Sequence, residues 1–447
     1  MTAAGTHALP APSTPSAAPS SHDPRTDDAS VAPGDIAVGV VIGRASEYFD
    51  FFVYGIASVL VFPAVFFPFV DRLQGTLLAF ALFAVAFVVR PIGTLAGMQI
   101  QRLFGRGTKL TVALFLLGSS TVGMALLPGY ASAGLLAIAM LTLCRIGQGL
   151  ALGGSWDGLP SLLALNAPEN RRGWYAMLGQ LGAPLGFLVA CGLFAYLWGN
   201  LSSEDFLTWG WRYPFFAAFA INVVALFARL RLVVTHEYER ELEAHELEPC
   251  SVRELFRSQG HNVFIGAFAA LASYALFHLV TVFPLSWIAL YSEQAIGEFL
   301  SVELLGALLA AAAMPVSGLV ADRIGRRSTL GLLAAAIAVF SIAAPWLLGG
   351  GTLGQDAFIL IGFVLLGLSY GQSAGSVTSN FLPRLRYTGA ALTADLAWLV
   401  GAAFAPLVAL ALSARFGLGA VSLYLLSGAA CTLLALRVNK TLAAVRD

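Results

Sequence analysis

The chain has 447 residues, 58% of them hydrophobic and only 11% charged, with a mean hydropathy of +0.79. A soluble domain carries about 25% charged residues, so the composition excludes a soluble globular enzyme and describes a polytopic membrane protein. Twenty-five basic and 25 acidic residues leave no net charge, which excludes a nucleic-acid binder, and Cys144, Cys191, Cys250 and Cys431 show no metal or disulfide spacing and read as small packing residues.

Residues 1–34 are rich in Ala, Pro, Ser and Thr. They are expected to be a disordered tail without a signal peptide. Twelve apolar runs long enough to span a bilayer follow, near 36–62, 75–99, 110–129, 133–158, 174–198 and 212–232, then 262–291, 299–321, 329–349, 356–381, 388–413 and 417–437. The expectation is an all-α membrane protein with twelve transmembrane helices in two six-helix bundles. The first bundle takes 35–232, a cytoplasmic connector 233–260, the second bundle 261–437 and a short tail 438–447. The charged segment Glu237–Glu243 of the connector reads as a solvated surface helix.

The first span contains Arg44, Glu47, Asp50 and Tyr54. Each ionisable group costs roughly 2.5–3.5 kcal/mol at a bilayer centre on insertion scales. At 100° per residue Glu47, Asp50 and Tyr54 fall within about 60° of one another, with Arg44 at the edge of that stripe. Two readings stand: a substrate or proton pathway, or an internal Arg44–Glu47 pair that holds helices together. A bare pair does not need the second acid.

Lys and Arg concentrate in the loops on one side, which puts both termini in the cytoplasm; the opposite loops hold only Arg72, Arg212 and Arg415. Two of the basic loops resemble each other. Gly97 to Gly105-Arg106, with Arg102 between, follows the second span, and Gly318 to Asp322-Arg323-Ile324-Gly325-Arg326-Arg327 follows the eighth. A repeated half with the same tight turn marks a transporter built from two related bundles. Asp322 is suited to accept hydrogen bonds from a neighbouring helix N-terminus or to pair with arginines, latching the cytoplasmic side in one state.

The fourth span carries Arg145, Gln148, Trp156 and Asp157 with a run of glycines. Arg145 needs an anionic partner, an acid on the first span or a substrate carboxylate. Trp156 either stacks on a substrate or anchors at depth. Arg90 of the second span reads as a structural arginine capping carbonyls. The small-residue face Gln180–Gly186 suits bending or packing against the eighth span. In the second half, His278 is an intramembrane histidine, a coupling candidate or a satisfied hydrogen-bonder. Tyr370, Gln372, Ser373, Ser376, Thr378, Ser379 and Asn380 form a polar run suited to a water-lined cavity, and Asp395 stands deep in the eleventh span.

Taken together these residues carry a resemblance. Glu47-Tyr48-Phe49-Asp50-Phe51, Arg90-Pro91-Ile92-Gly93, Arg145 with Gln148-Gly149, Gly153-Gly154 with Trp156, Asp322 to Arg327 and Arg386-Tyr387-Thr388-Gly389 resemble the major facilitator superfamily over about residues 38–437. Within it the chain is similar to the metabolite:proton symporters for oxoglutarate, citrate, shikimate and proline/betaine. The resemblance implies the major facilitator fold, a central cavity, and uptake of a small organic solute with a proton by alternating access. The chain departs from that pattern at Gln101 and Asp395, where Asp and glutamine are usual, and at Ser155, where an acid is usual and Asp157 follows two places later.

The expected function is proton-coupled uptake of a mono- or dicarboxylate through the inner membrane, by a monomer whose partners are the solute, the proton and lipid. It is not an enzyme and needs no cofactor or metal. Arg145, Arg44, Tyr54, Gln148, Trp156 and Tyr370 are the expected substrate residues. Glu47, Asp50, Asp157, Asp395 and His278 are the proton-coupling candidates. Gly97, Arg102, Gly105, Arg106, Gly318, Asp322, Arg323, Gly325, Arg326 and Arg327 are the gating candidates. The rivals are a proton-driven exporter of amphiphiles on the same fold and a non-transporting membrane sensor.

Overall fold

A computed structural model describes residues 2, 33–156, 158, 167–233, 248–374 and 381–439; among them there is helix and no strand. The chain runs through α1 (Pro33–Leu60), α2 (Phe62–Val65), α3 (Arg72–Ala125), α4 (Tyr130–Ala133), α5 (Leu135–Gly154), α6 (Arg172–Leu178), α7 (Gly182–Asn200), α8 (Ser203–Thr208) and α9 (Tyr213–Val233). Beyond the connector come α10 (Val252–Ala269), α11 (Leu271–Thr281), α12 (Phe283–Tyr291), α13 (Ile296–Ile324), α14 (Arg326–Leu348), α15 (Gly351–Tyr370), α16 (Pro383–Ala397), a π-helical segment (Trp398–Ala403), α17 (Ala405–Phe416) and α18 (Leu418–Val438). Ten stretches of the described residues are helical, long and apolar enough to cross a membrane.

The 54 residues of α3 would be about 80 Å of helix, far more than the ~30 Å hydrocarbon layer. The helix breaks at Gly105, whose φ of 82° an L side chain rarely adopts. Gly325, between α13 and α14, has φ 81°. The two loops that resemble each other in sequence therefore turn on the same backbone conformation.

Several boundaries differ from the pattern of apolar runs. Helix resumes at Val252, inside the expected connector, because Leu255 buries against Phe381 and Leu385. The seventh span is broken into α10, α11 and α12, with turns at Ala270 and Val282. The eleventh is interrupted by the π segment, a feature with no signature in hydropathy. The Glu237–Glu243 segment and Ser376–Asn380 lie outside the described residues, as does Asp157.

Helices on each side of the connector pack chiefly among themselves: α1 on α7 and α9, α3 on α5, α13 on α15, and α14 on α18. The seam between the two sets is made by α13 against α6 and α7, by α1 against α12, and by α3 against α16, the π segment and α17. The face of Gly182 and Gly186, read as suited to bending or to packing against the eighth span, meets α1, where a Cβ on either would come within 2.6 Å of the Ala45 or Phe49 nitrogen, while α7 also packs on α13.

Candidate functional site

Two polar groups form on α1, one behind the other. The first is enclosed within the leading set of helices. Asp50 is buried and accepts the hydrogen of the Thr121 hydroxyl, which lies 2.7 and 2.9 Å from its two oxygens, with Gln148 Nε2 donating at 3.2 Å and Asn222 Nδ2 at 3.5 Å. Arg145 is fully buried and donates to the Phe83 carbonyl through Nε at 3.2 Å and Nη2 at 2.9 Å, and to Gln148 Oε1 at 2.9 Å. Its guanidinium stacks 3.9 Å from the centre of the Tyr54 ring, a cation–π contact of about 2 kcal/mol when desolvated. The anionic partner expected for Arg145 is thus not in direct contact. Gln148 bridges the arginine to Asp50, because its amide offers an acceptor to one and a donor to the other.

The second group faces the seam. Arg44 pairs with Glu47 at 2.7 Å, and Ser155 Oγ donates to Glu47 at 3.2 Å. Arg90 on α3 pairs with Asp395 on α16 at 2.9 Å, and Thr94 donates to the other Asp395 oxygen at 2.6 Å. The reading of Arg90 as a cap for carbonyls is corrected here. A carboxylate from the second half lies within reach, and a charged acceptor binds a guanidinium more strongly than a carbonyl does.

Both arginines line two small cavities of about 30 and 20 Å³ that share Arg44, Arg90 and Trp398; Glu47 lines the first as well, and Asp395 stands behind Arg90. Tyr48, Phe51 and Phe87 complete the first, and Trp156, Gln180, Tyr274 and Tyr370 the second. Trp398 stacks on Phe87 with ring centres 5.6 Å apart, and the Tyr48 and Tyr370 hydroxyls hydrogen-bond across the seam. Such a space holds about one water, whereas ligand pockets run to about 300–1,000 Å³. The helices are therefore closed around a small, charged and aromatic centre. A larger hollow of about 360 Å³ lies at the opposite end from Asp322, between Pro63, Arg72 and Trp198, but no acid or second cation lines it.

Among the expected substrate residues, Arg44, Trp156 and Tyr370 line the central cavities. Arg145, Gln148 and Tyr54 stand behind them in the Asp50 group. His278 is fully buried beside Phe51 and Phe83, with Thr281 Oγ1 3.5 Å from Nδ1 and no partner at Nε2. Arg90 and Trp398 were missed as lining residues. Arg90 carried the signal of a charge inside an apolar run, and Trp398 carried none beyond its place near Asp395.

At the end of the seam bearing the two glycine turns, Asp322 accepts from the Gly173 and Trp174 nitrogens at 2.7 and 3.3 Å, capping the start of α6. Gly173 and Gly318 allow this contact: a Cβ on Gly173 would meet Ala321 Cβ at 2.7 Å and the Gly318 carbonyl oxygen at 2.8 Å. Arg326 donates to the Arg172 carbonyl at 3.3 Å, Arg327 to that of Leu436 at 3.1 Å, and Arg102 to that of Pro249 at 2.8 Å. Arg106 is buried and Arg323 exposed. In the other copy of the loop, Gly97 packs on Gly154 within the leading set of helices, so it does not match Gly318. Its counterpart of the Asp322 contact is Gln101, whose Oε1 accepts from Lys109 at 2.8 Å and from Tyr387 at 3.0 Å; Tyr387 belongs to α16.

Comparison with known proteins gives the wider frame. The family model described as Major Facilitator Superfamily matches residues 52–406. The chain is 37% identical to the Escherichia coli (strain K12) protein named inner membrane metabolite transport protein YhjE, over 90% of this chain and 92% of that one. It is 30% identical to the shikimate transporter of the same organism, over 88% and 91%. A crystal structure of a D-xylose-proton symporter superposes with a TM-score of 0.67 over 90% of this chain and 96% of that one; at 18% identity the likeness is one of fold.

Proposed function

Because the chain belongs to the Major Facilitator Superfamily, we propose that it takes up a small carboxylate-bearing solute together with a proton, by alternating access through the space between Arg44 and Arg90. That the protein is a membrane transporter of small solutes and not an enzyme follows from the family and from its relatives. The inner membrane is its location, as for the relative named above. The fuller arrangement is part of the proposal. Twelve helices result if α1 is one crossing and α3 is divided at Gly105; they form two six-helix bundles, 35–232 and 261–437, joined by a cytoplasmic connector. Both termini lie in the cytoplasm, and the carrier works as a monomer.

The observation that carries the reading is the pairing of two cavity arginines with two carboxylates, Arg44 with Glu47 and Arg90 with Asp395. The four charges sum to zero. An entering carboxylate competes for an arginine fork and displaces the resident acid. That acid is then an unpaired charge in a low-dielectric space, which costs several kcal/mol. A proton on Glu47 or Asp395 removes the cost and restores neutrality, so the loaded carrier closes and the half-loaded one does not. Asp50, with Arg145 and Gln148 behind α1, holds that helix in register rather than touching solute. The aromatic faces of Trp398 and Tyr370 suit the carbon skeleton of the solute, and the charged lining disfavours a bulky amphiphile.

The test is uptake into proteoliposomes across a panel of labelled carboxylates, betaines, amino acids, sugars and simple amines, with and without an inward proton gradient. Gradient-driven accumulation of a carboxylate, abolished by an uncoupler, is expected. Accumulation only of solutes without a carboxylate, or indifference to the gradient, overturns the reading.

A further inference from the structure

Glu303 stands apart from the groups above. It lies seven residues into α13, about 10 Å from the helix start, at the end remote from Asp322, and it is fully buried. It faces α7 across the seam, where Cys191 Sγ is 3.9 Å from Oε2, and its Oε1 has no hydrogen-bond partner. At the same level α15 presents Phe363 and Ile359 to Gly306, and α7 presents Gly192 to Leu304. Cys191 is the one titratable group that faces the carboxyl from the helices packed on it; among the described residues no Lys, Arg or His reaches it. An ionised carboxylate in that setting costs several kcal/mol, and an apolar side chain would fill the place more cheaply.

We propose that Glu303 is a proton-binding site of the carrier: its carboxyl is held as the neutral acid while the α7–α13 seam is shut, and it releases the proton to entering water when the seam parts at that end. The O–H bond breaks, the carboxylate keeps the electron pair, and the hydrated anion then opposes reclosure until a proton returns. Opening is thereby linked to one proton, and the opening constant rises with pH by up to tenfold per unit. The inference concerns the movement of the halves, whatever the solute, so it stands if the carboxylate reading fails.

Hydrogen exchange of the full-length protein in nanodiscs tests it, comparing pH 6 with pH 8 after division by the chemical exchange rate. Peptides covering 188–200 and 296–305 are expected to lose protection by well over tenfold, while peptides covering 172–178, at the other end of the seam, do not follow. In Glu303→Gln and Glu303→Met, which keep length without the ionisable group, the loss of protection with pH should vanish. Unchanged protection in the wild type from pH 6 to pH 8, or the same pH dependence in either variant, overturns the proposal; the wild-type result alone decides if neither variant folds.

Discussion

Arg90 and Asp395, 2.9 Å apart, form a buried ion pair that joins α3, ahead of the connector, to α16 beyond it. The pair has to break whenever the two halves part on that side, and its components then hydrate separately. It is a contact of one state of the carrier, placed at the border of the cavity.

Replacement of Asp395 by Asn is expected to keep a hydrogen-bonding group beside Arg90 while removing the proton acceptor. Solute exchange across the membrane at equal concentrations should persist, and accumulation driven by the proton gradient should fall at least tenfold. Asp395→Ala leaves Arg90 buried without a counter-charge, a loss of about 3–5 kcal/mol. It should lower the thermal midpoint in detergent, where Asp395→Asn lowers it less.

Arg145→Lys separates recognition from architecture. Lysine keeps the charge but loses the forked bond to Phe83 and the planar stack on Tyr54, of which the stack alone is worth about 2 kcal/mol. Since Arg145 lies behind the cavity, the KM for solute should stay within about twofold of wild type while the thermal midpoint drops. A tenfold rise in KM with unchanged stability would return Arg145 to the substrate site.

The Asp322 contact with the start of α6 is expected to hold its end of the seam closed. Loss of a helix-capping acid costs about 0.5–2 kcal/mol, so Asp322→Ala should raise the population open at that end by roughly 2- to 30-fold. Faster amide exchange in residues 172–178 is the readout. Gly173→Leu should go further, because a Cβ there already meets Ala321 and Gly318. The protein is expected to reach the membrane and to bind solute, yet to transport none.

Tyr387→Phe tests whether the Gln101 copy of the loop latches as the Asp322 copy is expected to. The hydroxyl meets Gln101, Lys109 and the Trp156 carbonyl at 3.0, 2.8 and 2.9 Å. Its removal should cost about 1 kcal/mol and speed exchange at the start of α16 about fivefold. No change there would assign closure of this side to Asp322 alone.

Much of this was legible because charge is rare in an apolar chain and because one glycine pattern occurs twice. Asp50, Arg145 and Gln148 announce themselves inside hydrophobic runs, and the recurrence of glycine before arginine marks Gly105 and Gly325 as equivalent turns. What the sequence could not supply is the partner. Arg90 and Asp395 lie at opposite ends of the chain, and nothing local joins them. The exclusion of Arg145 from the cavity depends on how Tyr54 and Phe83 wrap its guanidinium, a matter of packing and not of pattern. Glu303 lies inside the eighth span, near its start, and was overlooked because nothing in the sequence sets a lone acid there apart from one that reaches water at the membrane surface. The turn that faces it towards Cys191 is set by the helix crossing.

The smallness of the central space has an electrical meaning. Between Arg44, Arg90 and Trp398 there is room for about one water, too little for a continuous aqueous thread from one side to the other. In this closed arrangement the protein therefore offers ions no open path, and a gradient across the membrane is not dissipated through it.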